Sequence, residues 1–220
     1  MSAIFEDRAD ADQTLAEALL TYQDHAETLV LSLPRSGVPV TFAVARRLLL
    51  PLDVFVVRKL GYPGQEEYAM GAIASGGVRV LNPDLAGQVT AVPGMLEAAS
   101  ERELHELKRR EALYRGQRPP LALKGRTVIL IDDGLATGSS MRAAIQAVRK
   151  HAPAQVVVGV PVASRETCRL LSQEVDEMVC ALTPEHFSSV GRWYRNFGQT
   201  SDDEVEALLA RAHSEPRAQA

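Results

Sequence analysis

Five near-continuous runs of Val, Ile and Leu constrain this chain more than any other feature. They are "TLVLSL", "LDVFVV" (Leu52 to Val57), "TVILI" (Thr127 to Ile131), "QVVVGVPV" (Gln155 to Val162) and "DEMVCAL" (Asp176 to Leu182). A strand that is apolar on both faces must be covered on both, which is the situation of a parallel sheet between helices. Stretches with helical spacing separate the runs: "DADQTLAEALLTY" before the first, "GVPVTFAVARRLLL" after it, and further stretches after "DDGLATG", after "PVAS" and within "GQTSDDEVEALLARA". The alternation predicts an α/β fold with an open, mainly parallel sheet flanked by helices. One excursion interrupts it. "YAMGAIASGGVRVLN" reads as a hairpin turning at Gly76-Gly77, and "MLEAASERELHELKRREALYRG" as a long charged helix. Its glutamates, spaced three and four residues from its cations, suit a solvent face or a dimer interface better than an RNA track.

At 220 residues and 46% hydrophobic composition the chain can bury a large core, and we expect a single domain over residues 1–220 with its core at about 25–182. A net charge of -4 and a pI near 5.8 give no overall attraction to nucleic acid or to an anionic membrane. Cys168 and Cys180 lie among apolar residues without metal-ligand spacing and read as buried reduced thiols of a cytosolic protein. The start "MSAIFEDRADADQTL" places acids where a signal peptide needs cations, and no segment approaches a membrane span, so a soluble cytoplasmic protein is expected. The tail "HSEPRAQA" reads as frayed. His25, His105, His151 and His213 sit in charged helical or terminal surroundings and read as surface residues.

In an open parallel sheet, ligands bind beyond the carboxyl ends of the strands. After "LVLSL" comes Pro34-Arg35-Ser36-Gly37, after "LDVFVV" comes Arg58-Lys59, and after "TVILI" comes Asp132-Asp133. Cations thus follow two strands and acids a third. Thr137, Gly138, Ser139 and Ser140 fall where strand gives way to helix, so free N–H groups, hydroxyls and the helix dipole can converge on a phosphate. Asp132 and Asp133 beside them can accept hydrogen bonds from sugar hydroxyls and, through water, help hold Mg2+. An N-cap alone explains one hydroxyl, worth roughly 1 kcal/mol, and leaves the adjacent carboxylates without a reason. No P-loop and no dinucleotide-binding G-x-G-x-x-G is present, and the acids adjoin each other where an Asp-x-Asp phosphatase would separate them.

"VILIDDGLATGSS" resembles the phosphoribosyl-pyrophosphate (PRPP) signature of the type I phosphoribosyltransferases. The resemblance implies that Asp132 and Asp133 meet the ribose hydroxyls and that Ala136, Thr137, Gly138, Ser139 and Ser140 hold the 5'-phosphate. Gly134 departs from the pattern, standing where a branched apolar residue is more usual, and is expected to loosen the turn. "LPRSGVPV" is similar to the family's pyrophosphate loop, which assigns Arg35, Ser36 and Gly37 to the diphosphate, with Ser36 where relatives often carry glycine. "FVVRKLGYPG" resembles the adenine and orotate enzymes, in which Arg58 and Lys59 would open a lid (residues 58–71, its mobile part Gly61 to Tyr68) that closes over PRPP. Lys59 is one of only four lysines, so its place at a strand end is less easily accidental. The series "LPRSGVP", "VVRKLG", "GAIA", "DDGLATGSS" and "VGRWYRNF" is most similar to bacterial phosphoribosyltransferases whose acceptor is unsettled.

The activity so implied is Mg2+-dependent transfer of the 5-phosphoribosyl group from PRPP to a small nitrogenous acceptor by a homodimer. Arg35, Lys59, Asp132 and Asp133 would be its catalytic residues. A hood at 183–200 would cover the acceptor, with Phe187, Trp193 or Tyr194 stacking on it or else packing the hood onto the sheet. Ala136 stands where oxopurine transferases place an acid, which makes hypoxanthine and guanine less suitable. Glu66, Glu67, Glu185 or His186 could act as a general base. The alternative is a PRPP-sensing regulatory protein of the same fold without turnover. An exposed acid pair at the strand mouth would contribute little to the core, so both acids should be replaceable without loss of the fold.

Overall fold

The computed structural model describes residues 5–62, 65–82, 85, 87, 89 and 94–214, with the side chains of residues 9 and 65–68 left undescribed. Five strands, β1 (Thr28–Ser32), β2 (Leu52–Val54), β6 (Thr127–Ile131), β7 (Gln155–Val162) and β8 (Glu177–Leu182), form a wholly parallel sheet in the order β2-β1-β6-β7-β8. Three more, β3 (Val57–Tyr62), β4 (Gln65–Ala74) and β5 (Val78–Leu81), form an antiparallel sheet in chain order. Among the described residues the α-helices with given bounds are α1 (Arg8–Ala18), α2 (Gly37–Arg47), α3 (Met95–Arg115), α4 (Ser139–Arg149), α5 (Arg165–Leu171) and α6 (Asp202–Ser214).

Alternation along the buried strands sorts the core into two layers. Val30, Ile129, Ile131 and Val157 join the cluster that includes α2, α3 and α6 residues such as Val44, Leu107 and Leu209. Leu29, Leu31, Val128, Leu130, Val156 and Val158 face the other way, onto Met141, Ala144, Ile145 and Val148 of α4. "TVILI" and "QVVVGVPV" are strands with the limits expected of them, because each run is buried on both faces, with only Gln155 at the start of the second half-buried. "LDVFVV" is not one strand. It leaves the parallel sheet after Val54 and enters the antiparallel sheet at Val57, with Phe55 and Val56 between; Phe55 N–H donates to Ser32 O, and Val56 N–H to Ser75 Oγ. The hairpin turn at Gly76-Gly77 is present, both residues taking positive φ. The expected lid, 58–71, comprises most of β3 and the first part of β4, paired from Val57↔Ala74 to Tyr62↔Gln65; Pro63 and Gly64 lie outside the described residues.

A third, small cluster of Phe5, Ala11, Val162, Trp193 and Tyr194 joins the N-terminal segment to the segment after β8. The two run together as a parallel bridge, Phe5 with Tyr194. Among the described residues no helix is long and apolar enough to cross a membrane.

Two expectations about side chains are corrected. Cys168 on α5 and Cys180 on β8 are not separate thiols: a disulfide joins them and ties helix to strand. His151 is half-buried beside the Gly76 turn, with an enclosed Nε2 that has no hydrogen-bond partner among the described residues, whereas His25, His105 and His213 are exposed.

Candidate active site

The strand order places the site. From β1 the chain proceeds to β2 on one side, and from β6 to β7 and β8 on the other, so the crossovers diverge between β1 and β6, where a crevice opens at the carboxyl edge. Register brings Ser32 beside Ile131, and Leu33 N–H donates to Ile131 O at 3.1 Å. The segment Pro34–Gly37 and the pair Asp132-Asp133, distant in sequence, therefore emerge side by side.

Contact between them is close. A Cβ on Gly37 would stand 2.8 Å from Asp132 Oδ1, 3.0 Å from Asp132 Cα and 3.2 Å from Ile131 O, so only glycine lets α2 start here. Ser36 stands near enough to the Asp133 carboxylate to favour its charged form. The Pro34–Arg35 peptide is cis. The Arg35 side chain turns away from the acids towards Asp202 at the start of α6, at 3.7 Å, while Tyr114 OH donates to the same carboxylate.

The two acids differ in their surroundings. Asp132 is half-buried, and its Oδ1 accepts from the N–H of Asp133 at 2.9 Å. Burial and then the charge of Asp133 hold it well above the usual carboxylate range. Asp133 is only 5% exposed. Burial pushes it upward too, against the pull of the Arg8 guanidinium. Arg8 donates from Nε and Nη2 to Asp133 Oδ2 at 3.3 and 3.0 Å. Tyr194 OH donates to the backbone carbonyl of Asp133 at 2.6 Å, and burial with the nearby acids raises the phenol above its ordinary value. The acid pair is thus not an exposed one. Asp133 is built into the core of the site, and its replacement will cost stability.

After the acids the chain turns into α4. Gly138 has φ 68°, and a Cβ there would meet Thr167 Cγ2 at 2.6 Å. Thr167 Oγ1 donates to Ala136 O at 2.6 Å, so α5 braces the turn from behind. Ala136 and Thr137 are exposed, and the first-turn N–H groups of α4 have no acceptor within the helix. Thr137 and Ser139 hydroxyls lie 3.3 Å apart at the rim. The result is a cradle of amides and hydroxyls at a helix N-terminus, adjacent to two carboxylates.

Gly134 does not loosen its turn. A Cβ would meet Val190 Cγ1 at 2.6 Å and Val162 O at 3.0 Å. The glycine makes room for the segment that follows β8 to lie across the strand end.

Arg58 and Lys59, adjacent on β3, point to opposite faces. Arg58 Nε bonds Glu103 of α3 at 2.8 Å, so it is directed away from the cradle. Lys59 lines a cleft of about 150 Å³ with Asn82, Ser139, Arg142 and Gln146, between the antiparallel sheet and α4. Of the two cations, Lys59 is the one that shares a cavity with a cradle residue.

The expected stacking aromatics are occupied. Trp193 and Tyr194 are buried against Phe5 and Val162, and Phe187 packs on the same cluster. Tyr194 stacks with Phe197 at 5.0 Å, and Arg8 lies 4.3 Å above the Phe197 ring. Trp193 and Tyr194 thus pack the hood onto the sheet, and Phe187 stays half-buried at its edge. Glu185 and His186 are exposed; the side chains of Glu66 and Glu67 are outside the described residues. Arg8, Thr167 and Asp202 were not legible as site residues, since each reaches the site only through tertiary contacts.

Comparison with known proteins agrees with this geometry. Residues 4–193 match the family model described as "Phosphoribosyl transferase domain". The chain belongs to the phosphoribosyl transferase domain family. It is 46% identical over 210 residues to a protein from two strains of Mycobacterium tuberculosis, provisionally named a phosphoribosyl transferase, covering 96% of this chain and 47% of the relative. The chain therefore spans about half the length of these curated relatives. Among solved structures, TT1426 from Thermus thermophilus shares 44% identity with a TM-score of 0.83, over 94% of this chain and 97% of that one. The parallel five-stranded sheet with an added antiparallel sheet is thus a phosphoribosyl transferase fold.

Proposed function

We propose that this phosphoribosyl transferase moves the 5-phosphoribosyl group from PRPP to a small nitrogenous, nucleobase-like acceptor and releases pyrophosphate. The observation that carries the reading is the meeting of three features at one switch point: the carboxylate pair Asp132-Asp133, the cradle from Ala136 to Ser140, and the Arg35–Gly37 loop pressed against Asp132. A ligand that fits all three needs vicinal hydroxyls, a phosphate one sugar carbon away and a diphosphate. In this reading Asp132 and Asp133 accept from the ribose hydroxyls, while Thr137, Gly138, Ser139 and Ser140 hold the 5'-phosphate.

Breaking the C1'–pyrophosphate bond builds positive charge on the ring and negative charge on the leaving group. Lys59 from the cleft and the amides of Ser36 and Gly37 would stabilise the latter, and Arg35 would join them on leaving Asp202. Positioning supplies most of the remaining effect. The tip of the β3–β4 hairpin would exclude water from C1'.

The donor set suits Mg2+. Two carboxylates share one strand mouth, and one guanidinium, that of Arg8, is bonded to the second of them, Asp133, among the described residues. Such a pair would hold a hydrated ion through water. Bound with PRPP, the ion would neutralise the diphosphate. A cytoplasmic homodimer completes the reading.

The test is pyrophosphate release from PRPP and Mg2+ across a panel of nucleobases, with a no-base control for hydrolysis and a parallel thermal shift. Base-dependent release supports transfer. Stabilisation by PRPP without release for any base would leave a sensor, and an absence of both would remove PRPP from the account. Lys59, facing the cleft beside Ser139, favours turnover, because a sensor has no leaving group to stabilise.

A further inference from the structure

Arg8 is the most heavily engaged side chain at the mouth of the site. It stands at the first residue of α1, yet its guanidinium reaches across to the end of β6. Nε and Nη2 both donate to Asp133 Oδ2, Nη1 donates to Gly198 O at 3.0 Å, and the guanidinium plane lies over Phe197. Its side chain is 13% exposed and that of Asp133 7%. A planar fork with donors on two edges and an apolar face can hold a carboxylate, a carbonyl and an aromatic ring together; an ammonium cannot.

The carboxylate so held has one committed oxygen: Oδ2 takes both bonds from Arg8, and Oδ1 takes none from it. The other partners of Arg8, Gly198 and Phe197, belong to the segment that follows β8, and Tyr194 of that segment bonds the backbone of Asp133. We propose that Arg8 is a positioning residue of the ribose site, fixing the direction of the Asp133 carboxylate and locking it to the hood, so that the donor and acceptor halves of the site form as one unit. This rests on the PRPP reading above.

A second hood ion pair provides the control. Arg195 Nη1 bonds Glu6 Oε2 at 2.9 Å between the same two chain segments, but it is exposed and touches neither acid. Trp193, the chain's only tryptophan, is buried in the hood cluster and reports whether the hood is seated. The experiment compares wild type, Arg8→Lys, Arg8→Gln and Arg195→Gln. Affinity for PRPP with Mg2+ is measured by calorimetry, and Trp193 emission without ligand.

Arg8→Gln should bind PRPP at least tenfold more weakly and shift Trp193 emission to the red. Arg8→Lys, which keeps the charge and loses the fork, should fall between it and wild type and stay folded. Arg195→Gln should bind within twofold of wild type. Equal binding by wild type and both Arg8 variants would overturn the inference alone, as would equal losses in Arg8→Gln and Arg195→Gln, which would reduce Arg8 to a general hood contact. A wild type that binds no PRPP would overturn the underlying reading and this inference with it.

Discussion

At the scale of single residues, the two acids are not equivalent, although they are neighbours of the same type. Asp132 is half-buried and bonded to a backbone amide, whereas Asp133 is buried and held by Arg8 and Tyr194. Removing one partner of a buried ion pair strands the other, a loss of about 3 kcal/mol. Asp133→Asn should therefore lower stability by about that amount, while Asp132→Asn should keep the melting temperature and lose most of the stabilisation by PRPP. Equal melting temperatures for the two variants would contradict the burial argument. Lys59→Ala should behave differently again, retaining nearly the full PRPP shift while turnover falls, because its charge meets a diphosphate that becomes more anionic on departure. Full turnover would return Lys59 to the solvent. The local signature "DDGLATGSS" was legible because the chemistry of strand end, acids and helix start is contiguous in the chain. Arg8, 125 positions from Asp133, carries no such local mark.

At the scale of elements, strands were legible where burial is uniform and illegible where the chain changes sheets. "TVILI" and "QVVVGVPV" have one environment throughout; "LDVFVV" has two, and hydrophobicity does not record the change at Phe55. The disulfide was missed for a related reason. Composition speaks to the compartment, but proximity of α5 to β8 decides the pairing. With a sequence separation of 12 between the two cysteines, closing the loop should stabilise by about 3 kcal/mol on a chain-entropy model. Reductant should lower the melting temperature by roughly 6–12 °C, and intact mass should show the loss of two hydrogens before reduction. A mass of free thiols in the purified protein would contradict the bridge. On α1, burial and then the charges of Asp7 and Asp10 raise Asp12 to about 7. A carboxylate raised above its unfolded value of about 3.9 costs stability as pH climbs from that value through about 7. Asp12→Asn should therefore gain stability relative to wild type between pH 4 and pH 8. A constant difference in melting temperature across that range would refute it.

For the whole molecule, the site is assembled from regions that are separate in sequence: the β1–α2 loop, the β6–α4 loop, the antiparallel sheet and the joined chain segments of the hood. A ligand that bridges them should protect them together. Hydrogen exchange with saturating PRPP and Mg2+ should slow at Ser139 and Ser140 and at the β3–β4 residues Gly61, Tyr62 and Gln65 to Tyr68, and should change little at β7, which lies between β6 and β8. Protection of the cradle without the hairpin would remove the lid from the mechanism.

The fit of Gly134 under Val190 has a consequence across relatives. The space above residue 134 is shared, and one Cβ there already falls 2.6 Å from a Val190 methyl. The two positions should exchange volume through descent: a member of the family with a branched residue at the first should carry a smaller one at the second, or route its segment elsewhere. In an alignment this appears as covariation between two sites that are far apart in the chain and separately inconspicuous. The same exchange can be made by hand, since Gly134→Val should unseat the hood and Val190→Ala in the same chain should restore part of the seating.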